Sequence, residues 1–261
     1  MRICIKSLDK SQKFLYLFDR QWLTAESRFT CWFFMLQNQL CLGSYTEPYI
    51  HSSAEKDNMD RDSIVLRAAK PTLDEGLAFA RYLDEAAEGF FRIMLGRRAE
   101  HIIATAFLQP DHDLSHENVT FAERQDVIVG MVSGYTAEQH RRSSRQPLKE
   151  AAGRRNLRMR IVLILFAPLM RIIDSIADDD FYLQAIAVDK ELRGDGVGSV
   201  LMDFLKGRAR ASGSTRLSLD VSARNEGARR FYERRGMIVE SQWPKRLPIR
   251  ALKFYRMTRM L

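Results

Sequence analysis

Leu192 to Ser199 reads Leu-Arg-Gly-Asp-Gly-Val-Gly-Ser. Gly194, Gly196 and Gly198 alternate along it, and a missing side chain lets a ligand approach the backbone. Arg193 adds a permanent cation. If this segment opens a helix, its first amides have no internal acceptor and carry the positive end of the helix dipole. One exposed dipole contact is worth about 0.3–1 kcal/mol, so several must converge on one ligand. The chemistry is that of a phosphate or pyrophosphate cradle built from Arg193, Gly194, Asp195, Gly196, Val197, Gly198 and Ser199. The plainer reading of the loop alone is a tight connection that binds nothing.

The elements that must position this loop are visible on both sides. Phe181–Val188 is an apolar run of strand length. Val197, Val200, Leu201, Phe204 and Leu205 follow at i, i+3, i+4, i+7 and i+8, which predicts a helix with one apolar face. The loop is not a Walker phosphate loop, because Lys206 lies too far on. It is not a dinucleotide fingerprint, because its third glycine comes one residue early. What remains is Arg-x-x-Gly-x-Gly on Arg193, Gly196 and Gly198. Downstream, Thr215–Val221 alternates Leu217, Leu219 and Val221 with Arg216, Ser218 and Asp220, the pattern of a half-buried strand. Asn225 then stands where a helix N-cap belongs. Ala228, Phe231 and Tyr232 give that helix an apolar side, and Gly236 ends it.

The second set of residues reads Asn225-x-x-Ala228-x-x-Phe231-Tyr232-Glu233-x-x-Gly236. In this order and spacing the two motifs resemble those of the GNAT superfamily of acyl-CoA-dependent N-acyltransferases. The resemblance runs from about Ser63 to Leu261 and is strongest from Phe181 to Met237, where Met237 replaces the family's usual Phe. It implies an α/β (α+β) fold with a central mixed, twisted sheet of about six to seven strands flanked by helices. Two central strands would splay to admit coenzyme A. The implied reaction is transfer of the acetyl group of acetyl-CoA to a primary amine, by direct attack in a ternary complex. The amine would be a small molecule or a peptide; acetyl-CoA is the co-substrate and no metal is involved.

The resemblance also implies roles for particular residues. The backbone of Ile186, Ala187 and Val188 would pair with pantetheine, and a backbone amide would bond the thioester oxygen. Asn225 would cap its helix and touch coenzyme A. Tyr232 would protonate the departing thiolate, for which a phenol of pKa ~10 is a reasonable acid; a role for it as a core aromatic stays open. Gln184 offers no proton acceptor where such families often use a glutamate. Asp179, Asp180 and Asp220 are carboxylates that could serve through water. The alternative function is a CoA-binding regulatory or interaction module with little or no catalysis.

The rest of the chain supplies context. All three cysteines, and Trp22 and Trp32, precede residue 59. A polar stretch follows from His51 to Asn58. Two readings of residues 1–58 stand: a poorly ordered extension docking through Phe33, Phe34, Met35 and Leu36, or a gene-model artefact with the true start at Met59. Residues 59–261 would form the acyltransferase domain. Within it the sequence predicts a first strand at Ile64–Leu66 and a helix capped by Thr72, with Glu75 completing a capping box. A helical pattern from Phe90 to Phe107 and strands at Asn118–Phe121 and Asp126–Thr136 come next.

Residues 137–180 read as a helical insertion. Arg141, Arg142, Arg145, Lys149, Arg154, Arg155, Arg158 and Arg160 form a basic cluster ahead of the apolar run Ile161–Met170. Asp174, Asp178, Asp179 and Asp180 follow. They read either as a solvated linker, a buried helix and an acidic helix end, or as a wall on the acceptor side whose aspartates attract an amine. The chain carries a net charge of +8. That charge suits coenzyme A phosphates, RNA or an acidic membrane. No interleaved aromatics mark an RNA surface, so no nucleic-acid partner is expected. Neither a membrane span nor a secretory signal is visible, which predicts a cytoplasmic protein. A homodimer is compatible with the sequence.

Overall fold

The computed structural model describes residues 63–153, 156–165, 176–244 and 253–261. The expectations for residues 1–58 and for the apolar run past Leu165 lie outside them. Among the described residues, seven strands form one open sheet: β1 (Val65–Ala68), β2 (Val119–Arg124), β3 (Val127–Thr136), β4 (Asp180–Val188), β5 (Arg216–Ser222), β6 (Ile238–Trp243) and β7 (Phe254–Met260). Their order is β1-β2-β3-β4-β5-β7-β6. The β4–β5 pair is parallel and the others are antiparallel. Helices cover both faces. This is the mixed α/β architecture that the two motifs imply.

One face carries α1 (Leu73–Ala86), α2 (Phe90–Leu95) and α3 (Ala99–Phe107). Phe79, Leu83, Ile103 and Phe107 pack there against Phe121, Met131 and Ala185. The opposite core gathers α7 (Val197–Ala211) and α8 (Glu226–Glu233), with Leu201, Leu205 and Tyr232 against Phe181, Leu183, Leu217 and Leu219. The buried stripe of α7 is Val197, Leu201, Met202, Leu205 and Ala209. Val200 and Phe204, expected on that face, are exposed at its margin.

The predicted capping box at Thr72 is half formed. Thr72 accepts from the Glu75 amide, but the Glu75 carboxylate turns to the Lys70 amide at 2.6 Å and to Arg67 at 3.0 Å. A complete capping box occurs instead at Thr136 and Gln139. It starts α4 (Ala137–Arg142), the first helix of the insertion, which continues as α5 (Gln146–Ala152) and α6 (Asn156–Leu165). The continuous helical pattern from Phe90 is broken at Gly96, which takes φ 76° and starts a short 3-10 turn before α3.

Candidate active site

β4 and β5 are paired only from Asp180–Tyr182 to Arg216–Ser218. Both strands run on, to Val188 and Ser222 respectively. A gap therefore opens between two parallel central strands and leaves their facing backbone groups without ladder partners. Side chains fix where the divergence begins. The Tyr182 hydroxyl donates to Asp220 Oδ2 across the gap at 3.0 Å. Arg256 of β7 holds the same carboxylate with Nε to Oδ1 at 2.7 Å and Nη2 to Oδ2 at 2.9 Å. Below it, Arg216 of β5 binds Asp180 of β4 through two nitrogens, at 2.6 and 3.2 Å.

On its other edge β4 is irregular. Ser133 pairs with Ala185 and Gly134 with Leu183, so Gln184 is an extra residue. A bulge of this kind re-aims the backbone beside it. The Gln184 side chain accepts a hydrogen bond from the Ser133 hydroxyl at 3.0 Å. Ile186, Ala187 and Val188 lie past the bulge, on the part of β4 that has left β5.

The glycine loop leaves the end of this free segment. Gly194 and Gly196 have φ of 107° and 89°, and a Cβ at either would meet nothing within 4 Å. Both are needed for backbone conformation. Gly198 is different: a Cβ there would lie 3.2 Å from the Phe231 ring. It is a contact glycine, which lets α8 pack on the first turn of α7. Arg235 reinforces that contact, stacking over Phe231 and donating to the Ser199 hydroxyl. The amides of Gly194, Gly196, Val197 and Gly198 meet no acceptor among the described residues. The loop thus leaves four amides without an acceptor beside an open strand gap, a donor set of the chemistry that a pyrophosphate requires.

Arg193 does not point freely at this cradle. Its Nη2 is 2.5 Å from Glu85 of α1, and its Nε donates to the Val188 carbonyl at 3.2 Å. Tyr82 of α1 donates to Asp189 Oδ1 at 2.8 Å, tying the same helix to the end of β4.

A family model for the acetyltransferase (GNAT) family matches residues 80–237. The chain belongs to this family. Two solved structures share the fold of this GNAT chain. An acetyltransferase crystal structure is 24% identical, with TM-score 0.53, covering 75% of this chain and 98% of its own. An N-acetyltransferase from Staphylococcus aureus Mu50 is 15% identical, with TM-score 0.51, covering 75% and 100%. No curated protein matches the sequence.

The second motif of the GNAT domain folds as its spacing predicts. Asn225 accepts from the Ala228 amide at 3.0 Å, and Gly236 ends the turn after α8 with φ 75°. Tyr232 is buried in the α7–α8 core, and burial raises its phenol well above the ordinary value. Its hydroxyl has no hydrogen-bond partner among the described residues. Burial thus favours the protonated phenol.

The structure sorts the three aspartates. Asp180 is completely buried and committed to Arg216 at the base of β4, the end away from the loop. Neither general-base work nor attraction of an amine is open to it. Asp179 lies on the exposed turn before β4. Asp220 stands at the point of divergence, but Arg256 and Tyr182 occupy both its oxygens.

Glu88, unremarked in the sequence, stands out. It sits in the turn between α1 and α2 with φ 53°, a left-handed conformation uncommon for a side chain of its size. Its side chain is exposed, and partial desolvation by its neighbours raises its carboxyl from the ordinary value, against the lowering pull of a bond from Ser222 and the charge of Arg224. Ser222 is the last residue of β5, so the turn reaches the open end of the gap. The sequence signal was weak: a Glu-Gly pair between two helical patterns. An open cavity of about 270 Å³ lined by Asp113, His140, Arg141, Ser143 and Arg145 lies elsewhere, where His140 stacks on Tyr135 near the far end of β3.

Proposed function

We propose that the protein transfers the acetyl group of acetyl-CoA to a primary amine. The observation that carries this reading is the parting of β4 and β5 beside a glycine loop whose amides have no acceptor. A thioester supplies an activated acyl group and a thiolate leaving group. The chain's residues do the rest. The backbone of Ile186 to Val188 aligns the pantetheine arm, and the loop amides of Gly194, Gly196, Val197 and Gly198 bind the pyrophosphate. Asn225 keeps α8 in place beside them.

Two proton movements remain. The departing thiolate takes its proton from Tyr232, and the second proton of the attacking nitrogen, released as the amide forms, restores the phenol through solvent. The incoming ammonium gives one up to Glu88, directly or through a water. Positioning supplies most of the acceleration, because bringing amine and thioester together converts a bimolecular step into a local one.

The test is release of free thiol from acetyl-CoA with a mixed panel of polyamines, amino acids, aminoglycosides and peptides. Turnover with any of them supports the enzyme. Tight coenzyme A binding with no turnover across the panel would favour a CoA-binding regulatory module.

A further inference from the structure

The basic insertion is not absorbed by the acyl-transfer site. Residues 141–165 hold eight Arg or Lys and one acidic residue, Glu150. This stretch of 25 residues carries +7, against +8 for the whole chain. Arg142, Arg145, Lys149 and Arg160 are exposed. Arg141 pairs with Asp178 and Arg142 with Glu138, and the excess of +7 belongs to the stretch as a whole.

The same stretch exposes large aliphatic side chains. Met159 is buried and Val162 and Leu163 pack on the core, which fixes the inner side of α6. Leu157, Ile161 and Ile164 fall at i, i+4 and i+7 on the outer side and are 66%, 51% and 71% exposed. A helix with an apolar inner side normally presents a polar outer one. An exposed apolar row embedded in positive charge marks an interaction surface.

We propose that α6 docks this protein on an anionic lipid bilayer, lying in the plane of the headgroups. The occupant follows from the chemistry. A second copy would oppose one +7 segment with another. Single-stranded RNA would be read by stacking on aromatic side chains; residues 137–165 contain no Phe, Tyr or Trp, and the one ring there, His140, is stacked on Tyr135. An anionic bilayer satisfies both halves of the surface: phosphate for the cations, and an apolar layer for Leu157, Ile161 and Ile164. This is a peripheral contact, and no described helix is long and apolar enough to span.

The experiment is flotation of the full-length protein with vesicles of phosphatidylcholine mixed with phosphatidylserine, against phosphatidylcholine alone. Binding at least about tenfold stronger on the anionic vesicles is expected, and it weakens as salt rises. The double variant Ile161→Ser, Ile164→Ser should weaken it by about tenfold or more through lost apolar insertion. Both side chains are exposed, so the melting temperature should hold. Arg145→Glu with Lys149→Glu should weaken binding independently. Equal retention of the isoleucine variant and the native protein would overturn the proposal. So would absence of binding to both vesicles, tighter binding to a homopolymeric RNA, or a dimer that the isoleucine variant dissociates.

Discussion

The proposed proton chemistry rests on two side chains, and each makes its own prediction. Tyr232→Phe keeps the ring in its core contacts and removes only the proton donor. Acid catalysis by a positioned group contributes about 10²–10⁴-fold. A single-turnover rate lower by tenfold or more is expected, with coenzyme A affinity nearly unchanged. Equal rates at every pH would make Tyr232 a packing residue. Glu88 is tested by pH. Its carboxyl is raised from the ordinary value by partial desolvation, so the base form grows in at higher pH than for a free carboxylate. The native rate should rise with pH through that midpoint. Glu88→Gln should lower kcat much more than KM and remove the rising limb. A limb that survives in the Gln variant would assign the base elsewhere. Neither role was fully legible beforehand. Tyr232 was fixed by its distance from Asn225, whereas Glu88 acquires meaning only because the α1–α2 turn reaches Ser222.

Between elements, two contacts shape the gap. The first joins α7 and α8 through Gly198 and Phe231. A Cβ at 3.2 Å from that ring requires the ring to give by a few tenths of an ångström, and Arg235 stacked on it resists the shift, so Gly198→Ala should weaken coenzyme A binding and lower stability. Overpacking of this kind costs about 1–3 kcal/mol, and a melting curve beside a calorimetric titration checks both. The second contact is the Tyr182–Asp220–Arg256 cluster where β4 leaves β5. Arg256→Met leaves a buried carboxylate unpaired and should cost about 3–5 kcal/mol. Asp220 also carries a pH signature. Burial raises its carboxyl in the folded chain despite Arg256. Between the unfolded and folded values the folded state holds the extra proton, so stability falls as pH rises through the folded value. Stability curves across weakly acidic pH should lose that slope in Asp220→Asn. The strands and the two motif helices were legible from periodicity and caps. The break at Gly96 and the half-formed box at Glu75 were not, because a left-handed glycine and a competing bond to the Lys70 amide are tertiary choices. The exposed row on α6 escaped for a related reason: an apolar run reads as buried until its neighbours are known.

Across the whole molecule, the groups at the candidate site come, among the described residues, from positions after Arg81. Tyr82 and Glu85 of α1 grip Asp189 and Arg193 at the end of β4. Phe231 and Arg235 meet the first turn of α7 from α8. The family match also lies wholly within residues 80–237. β1 begins at Val65 on the sheet edge, three strands from β4 in the sheet order, and pairs with β2 alone among the described strands. A boundary at the composition break before Met59 is the expectation that these contacts support. A chain begun at Met59 should keep the sheet, both motif helices and the loop. Its affinity for coenzyme A should match that of the full chain within about twofold, a difference of roughly 0.4 kcal/mol, when both are titrated calorimetrically. The lipid-binding surface on α6 lies after this boundary too, so the shortened chain should float with anionic vesicles as the full chain does. A tenfold loss of coenzyme A affinity would make residues 1–58 part of the site. Loss of flotation with affinity intact would instead give those residues the membrane contact and take it from Leu157, Ile161 and Ile164.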